Sequence, residues 1–196
     1  DDKNFKVRPT DFSVDPLAYA SFMNTIFDEW IKEDVTKISI RMFDSLLARF
    51  SGYEQTLCIF KECCGGNNVA VESDGTLYQC DHFVYPEKEF KIGNFNDLSL
   101  NEIEEKTKLL SDKKKDICSK CKECKWLELC HGGCPKHRFV NLKDSNERIS
   151  YFCTAYQEIF EHITPGLNLI VEFKEKHIPW ELFPIAAKKL YVENTK

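Results

Sequence analysis

The sequence predicts an α+β domain, a small antiparallel β-hairpin among helices with irregular cysteine-rich loops between them. Three observations predict it: amphipathic helical spacing at both ends of the 196 residues, one strong hairpin signal near the middle, and ten cysteines confined to the span from Cys58 to Cys153. The length suits one domain or two small ones and can bury a real core. Hydrophobic residues make up 42% and charged residues 30%, an ordinary globular composition that excludes a disordered chain. No apolar run approaches the roughly 18 residues of a membrane span. The start DDKNFKV has neither the basic nor the apolar region of a leader. A net charge of -5 argues against a broad phosphate-binding face, so neither a membrane nor a nucleic acid is expected as a partner. The first residue is Asp rather than Met, and the expectation is of a portion of something longer.

Asp15 to Ile31 reads as a helix. Asp15 suits an N-cap, Pro16 is tolerated at the first helical position, and Tyr19, Met23, Ile26, Phe27 and Trp30 recur at helical spacing. Lys37 to Phe43 alternates Ile38, Ile40 and Met42 with Ser39 and Arg41, the period of a half-buried strand. A short helical stretch with Leu46, Leu47 and Phe50 follows. In VAVESDGTLYQC, Asp74-Gly75 is the dipeptide that a two-residue type I′ turn requires, because both positions need positive φ. Pairing across that turn sets Val69 opposite Cys80 and Val71 opposite Tyr78, which aims the Cys80 thiol inward with the valines. Ser99 with Glu102 reads as a capping box opening a short polar helix towards Ser111, and a loop region follows. After Asn146, the residues Ile149, Phe152, Cys153, Tyr156, Phe160 and Ile163 keep helical spacing, so Cys153 falls on a buried stripe. Pro165-Gly166 is expected to break that helix. The tail to Lys196, with Pro179 and Pro184, reads as one or two more helices packing back on the domain.

Cysteines at this density suit either a secreted disulfide scaffold or a metal protein. Disulfide scaffolds compensate for weak cores, which a chain with 15 Phe, 7 Tyr and 3 Trp does not need. The run Cys118-x2-Cys121-x2-Cys124-x5-Cys130-x3-Cys134 favours metal, since two thiolates a tight turn apart reach one metal or one cluster edge without strain. Upstream stands Cys58-x5-Cys64-x15-Cys80, and downstream the single Cys153. Gly65, Gly66, Gly132 and Gly133 let the backbone approach closely and offer amides to cluster sulfides. Spacing alone leaves two functions open. One is an iron–sulfur centre in an enzyme, the other a non-catalytic four-cysteine zinc module that holds an interaction surface.

These residues, together with VAVESDGTLYQCDHFVYP, IGNF, CKWLELCHGGC and YFC, resemble the SPASM domain that forms the C-terminal half of radical S-adenosylmethionine enzymes. Among those, the sequence looks most like the anaerobic sulfatase-maturating enzymes. The resemblance is close from Cys58 to about Tyr156 and fainter upstream. It implies three regions: 1–57, the end of the radical domain and a linker; 58–156, the SPASM domain; and 157–196, helices packing on it. It also implies two auxiliary 4Fe-4S clusters, the first held by Cys58, Cys64, Cys80 and Cys134 and the second by Cys121, Cys124, Cys130 and Cys153. Cys63 and Cys118 are left without a role; Cys64 is preferred to its neighbour because it precedes Gly65, as in the family. Asp81 matches the family's general base. The sequence lacks CxxxCxxC, so S-adenosylmethionine and a third cluster are expected in a radical domain in cis, and these residues alone are not expected to start the reaction. The implied partners are an unfolded sulfatase segment, whose Cys or Ser becomes formylglycine, and an external electron donor; the implied location is the cytoplasm. SPASM domains also serve other peptide-modifying maturases, against which the run Cys80-Asp81-His82-Phe83 favours sulfatases.

The remaining polar residues near the cysteines take plainer readings. His131 and His137 flank Cys130 and Cys134 but are not needed as ligands among so many thiols, and His82 either tunes Asp81 or covers the hairpin. Lys113, Lys114, Lys115, Lys120, Lys122 and Lys125 read as a solvated face that can also compensate cluster charge.

Overall fold

The structure, a computed structural model, describes residues 9–64, 69–85 and 91–192. Helix α1 spans Pro16–Glu33, opened by Asp15, whose Oδ1 accepts the Leu17 and Ala18 amides at 2.9 and 3.0 Å. Its apolar stripe of Met23, Phe27, Trp30 and Ile31 is buried against two later helices, α6 (Cys153–Glu175) and α7 (Phe183–Val192). Helix α2, Arg41–Phe50, closes the same core with Met42, Phe43 and Leu46. Residues from both ends of the chain therefore share one hydrophobic layer, and the cysteine-rich middle lies on it.

Two expectations about this layer are corrected. Lys37–Phe43 is not a strand: a turn over 34–37 leads straight into α2. The Trp30 indole N–H donates to the Ile38 carbonyl at 2.7 Å, and Ile38 is exposed, so the backbone here is spent on closing the end of α1. Met42, Phe43 and Leu46 also satisfy helical spacing, and no neighbouring segment offers them a ladder among the described residues. Nor does Pro165-Gly166 break a helix, since α6 runs through both. Proline removes one backbone donor, but Leu167, Ile170 and Phe173 continue the buried stripe beyond it. The Gly166 amide finds the Tyr191 hydroxyl at 3.0 Å, and a Cβ there would lie 2.3 Å from Ile31. Packing overrides the local breaker.

The middle begins with a 3-10 turn, Cys58–Phe60, followed by a three-stranded antiparallel sheet of β1 (Ala70–Val71), β2 (Thr76–Tyr78) and β3 (Lys91–Asn94). The hairpin is present but its register differs from expectation: Ala70 pairs with Tyr78 and Val71 with Leu77. The cause is the turn. Only Gly75 takes positive φ, at 83°, and its amide reaches the Glu72 carbonyl while the Glu72 amide reaches Thr76. This is a four-residue turn with a glycine bulge rather than a type I′ turn, and the extra residue slips the pairing by one. Val71 is exposed while Leu77 and Tyr78 are both buried, and a bulge in the pairing with β3 falls between those two. Cys80 sits half-buried at the strand's end.

Helix α3, Leu100–Lys115, opens with the expected capping box of Ser99 and Glu102 and runs past Ser111. Two single-turn helices follow, α4 (Ser119–Lys122) and α5 (Leu127–Cys130). A second hairpin, β4 (Arg138–Asn141) with β5 (Arg148–Ser150), leads into α6 and was not anticipated. Its strands are three and four residues long with exposed Val140, too short to carry a periodic signal. Among the described residues no helix is long and apolar enough to cross a membrane.

Candidate functional site

The cysteines gather around two cavities. The first, about 540 Å³, is lined by Cys58, Cys64, Cys80 and Cys134, with Cys63 and Asp81 also on its wall. Cys58 opens a 3-10 turn whose Phe60 is buried edge-on against Tyr156 and Phe160. The buried Ser45 hydroxyl of α2 accepts the Thr56 and Leu57 amides, both at 3.0 Å, and so fixes the approach to Cys58. Cys80 caps a second 3-10 turn, Asp81–Phe83, its sulfur accepting the His82 amide at 3.4 Å. Cys134 is buried, 3.7 Å from the His82 ring Nδ1. Burial pushes the Cys64 thiol up to about 11 and the Cys80 thiol to about 12, and raises Cys134. Undisturbed thiols here are protonated, so taking up a metal must displace protons.

The second cavity, about 30 Å³, is lined by Cys121, Cys124, Cys130 and Cys153 and walled by Trp126, Tyr156 and Phe160. Cys121 is the third residue of α4, Cys130 the last of α5, and Cys153 the first of α6. Cys124 lies between α4 and α5, its sulfur accepting the Trp126 amide at 3.4 Å and the Gln157 side chain at 3.7 Å. Burial lifts Cys121 to about 12 and Cys130 to about 11. Cys118 stays off this wall, buried, with its sulfur 3.4 Å from that of Cys121. Among the described residues no group of three Cys, His, Asp or Glu side chains is gathered to hold a single metal ion.

Between the cavities runs the loop from Cys130 to Cys134, which sends one cysteine to each. Gly132 and Gly133 take φ of 73° and 66°. A Cβ on Gly132 would lie 2.9 Å from Ile117, and one on Gly133 would lie 3.2 Å from Tyr156, so glycine is needed for both conformation and space. Gly65 and Gly66 lie outside the described residues.

Two residues of this wall were not found by reading the sequence. Lys114 is fully buried, whereas Lys113, Lys115, Lys120, Lys122 and Lys125 are exposed, so the solvated-face reading fails for this one lysine. The signal was available: Ile103, Thr107, Ser111 and Lys114 share one face of α3. The Lys114 ammonium donates to the carbonyls of Ile59 and Gly133, and burial pulls its pKa down to about 8. Arg138 spreads its guanidinium over backbone carbonyls of the same loop and of the end of α3.

Asp81 is exposed at the rim of the first cavity. Its Oδ1 accepts the Cys80 S–H at 3.1 Å, the main reason its carboxyl titrates below the ordinary range. His131 and His137 line neither cavity; the buried His137 Nδ1 has no hydrogen-bond partner among the described residues, and its ring packs on Phe152. Four soft sulfur donors on each cavity, with main-chain N–H groups already pointing at Cys80 and Cys124, fit an iron–sulfur group.

Comparison with known proteins agrees with this donor set. The model of SPASM, an iron–sulfur cluster-binding domain, matches residues 63–125. The chain is 39% identical over 163 residues to the serine-type anaerobic sulfatase-maturating enzyme of Bacteroides thetaiotaomicron, covering 82% of this chain and 39% of that protein. To the cysteine-type enzyme of Clostridium perfringens it is 34% identical over 160 residues, covering 80% and 42%. A solved structure, native anSMEcpe with bound AdoMet, superposes with a TM-score of 0.72 at 31% identity, over 84% of this chain and 45% of that one. The chain thus spans about two-fifths of the length of the curated relatives it matches. Its fold, its cysteine-lined cavities and these likenesses agree: the chain carries the SPASM iron–sulfur cluster-binding domain and is similar to the corresponding portion of anaerobic sulfatase-maturating enzymes.

Proposed function

We propose that this chain holds two 4Fe-4S clusters in an enzyme that oxidises a Cys or Ser of a sulfatase to formylglycine. One observation carries the reading: five cysteines line the first cavity and four the second, in an order that interleaves along the chain, Cys134 going to the first cavity after Cys121, Cys124 and Cys130 have gone to the second, and of the five the family resemblance sets Cys63 aside. Interleaving ties the hairpin, the single-turn helices and α6 together, so filling the sites also folds the segment. At the first cavity, thiols spread around about 540 Å³ suit a multi-iron centre better than a single zinc ion.

After hydrogen-atom abstraction, turning a peptidyl Cys or Ser into an aldehyde needs the loss of one more proton and one more electron. Asp81, exposed at the rim of the first cavity beside Cys80, is the residue this reading assigns to take that proton. A bound iron–sulfur cluster supplies the one-electron acceptor. On this reading residues 1–57 end the radical domain, 58–156 are the SPASM domain and 157–196 close on it. S-adenosylmethionine and a third cluster belong to a radical domain in cis outside these residues. The remaining partners are an unfolded sulfatase segment and an external electron donor, the setting the cytoplasm, with no nucleic acid or membrane bound.

The test is anaerobic reconstitution with iron and sulfide. About eight irons per chain and a brown protein support the reading, whereas a colourless chain with about two zinc ions returns it to a zinc module. In the whole enzyme, Asp81→Asn should retain the iron and abolish formylglycine; retained turnover removes Asp81 from the mechanism.

A further inference from the structure

Lys114, fully buried, and Arg138, half-buried, are cations without an acid. The Lys114 ammonium donates to the Ile59 carbonyl at 2.9 Å and the Gly133 carbonyl at 2.6 Å. Arg138 donates to six carbonyls: Gly132 from Nε, Lys113 and Asp116 from Nη1, and Lys114, His131 and Gly133 from Nη2, all at 2.8 to 3.1 Å. Every one of these acceptors is neutral. Among the described residues no carboxylate lies within ion-pair reach of either cation. A charge taken from water without a counter-charge is costly, and here a buried cation and a half-buried one stand together.

The anions that could offset them are the thiolates. Thiolates at Cys64 and Cys134 of the first cavity and Cys130 of the second would stabilise the Lys114 charge, and those three with Cys121 would stabilise that of Arg138. Neither cation lines a cavity, but both grip the Gly132-Gly133 loop that divides the two.

We propose that Lys114 and Arg138 form a cationic bridge shared by the two cluster sites, balancing the negative charge of both loaded cysteine sets and holding the wall between them. This rests on the reading that each cavity takes an iron–sulfur cluster. Both are positioning residues that touch no substrate. Reduction at either site adds an electron beside the same two cations, so removing one cation disfavours reduction at both sites. Hydrogen bonding alone would not have that effect.

The test compares Lys114→Met, Arg138→Gln and Arg138→Lys with the unmodified protein after anaerobic reconstitution. Iron is counted first, because a parent protein that takes up no iron defeats the cluster reading itself. The readout is then the ratio of reduced to oxidised cluster at a fixed solution potential, by electron paramagnetic resonance. Lys114→Met and Arg138→Gln should lower that ratio on the order of tenfold at both sites, the size expected of one unit charge about 12 Å away in a medium of effective dielectric about 20. Arg138→Lys keeps the charge and loses most of the carbonyl contacts; it should melt earlier yet titrate as the parent does. Unchanged ratios in the iron-loaded neutral variants, or a change at one site only, would overturn the proposal. Should Lys114→Met fail to load, equal ratios for Arg138→Gln and Arg138→Lys would overturn it as well.

Discussion

The two cysteine-lined cavities differ in what surrounds them. The first opens to about 540 Å³ and is bordered by the exposed Cys58, Cys63 and Asp81 on short turns. The second is shut to about 30 Å³ behind Trp126, Tyr156 and Phe160, of which the last two belong to the hydrophobic core that α6 shares with α1 and α2. A space that small admits a water or two, so loading the second site requires its thiols to spread. The contrast assigns different dependences. The first site is accessible to a substrate and hangs on loops; the second is an extension of the core and answers to packing.

The largest effect should come from the core side. Phe160→Ala removes a ring that packs on Phe60, Trp126 and Tyr156, and should cost about 3–5 kcal/mol in chemical denaturation. The second site should then lose iron more readily than the first; equal loss from both would break the contrast. Thiol reactivity gives the next effect. With Cys130 held near 11 against an ordinary 9.0, its thiolate fraction falls about hundredfold at neutral pH. Alkylation of the metal-free chain followed by peptide mapping should therefore label exposed Cys63 at least that much sooner than Cys130.

The pH dependence of the metal-free chain follows from the same burial. Two thiols from each cavity, Cys64 and Cys80, Cys121 and Cys130, are raised from 9.0 to about 11 or 12. The folded chain then holds protons that the unfolded chain releases, so this stability is present below about pH 9 and is lost as pH rises through 11 to 12. Lys114, lowered from 10.5 to about 8, acts oppositely between those values, and the four thiols outweigh it. Melting temperature should peak near pH 9 without metal, and the alkaline loss should vanish once the thiols ligate iron. The smallest effect concerns Glu147, which accepts the Ser119 amide at 2.9 Å and its hydroxyl, tying down the start of α4. Glu147→Ala should lower the melting temperature only slightly and disturb the second site alone.

Much of this was legible in the residues. The N-cap at Asp15, the capping box at Ser99 and Glu102, and the buried stripe through Tyr156, Phe160 and Ile163 each rest on a local pattern, and each is present, although Cys153 is only half-buried and Ile149 lies in β5 rather than in the helix. The errors share a cause in tertiary packing. Pro165-Gly166 reads as a stop only if Tyr191 and Ile31, which fit against it, are left out. The hairpin register turned on whether Asp74 would take positive φ, which the dipeptide alone does not decide. The division of cysteines between cavities came from family resemblance rather than spacing, since Cys130 and Cys134, four residues apart, line different cavities. Lys114 was hidden among lysines that do face water, and only the periodicity of α3 distinguishes it.

The most direct test is iron stoichiometry in three proteins reconstituted side by side: the parent, Cys80→Ala and Cys153→Ala. Two independent four-iron sites predict about eight irons per chain in the parent and about four in each variant, with the surviving cluster on the opposite cavity. A parent with about four irons, or a variant that keeps all of them, would contradict the assignment of one cluster to each cavity.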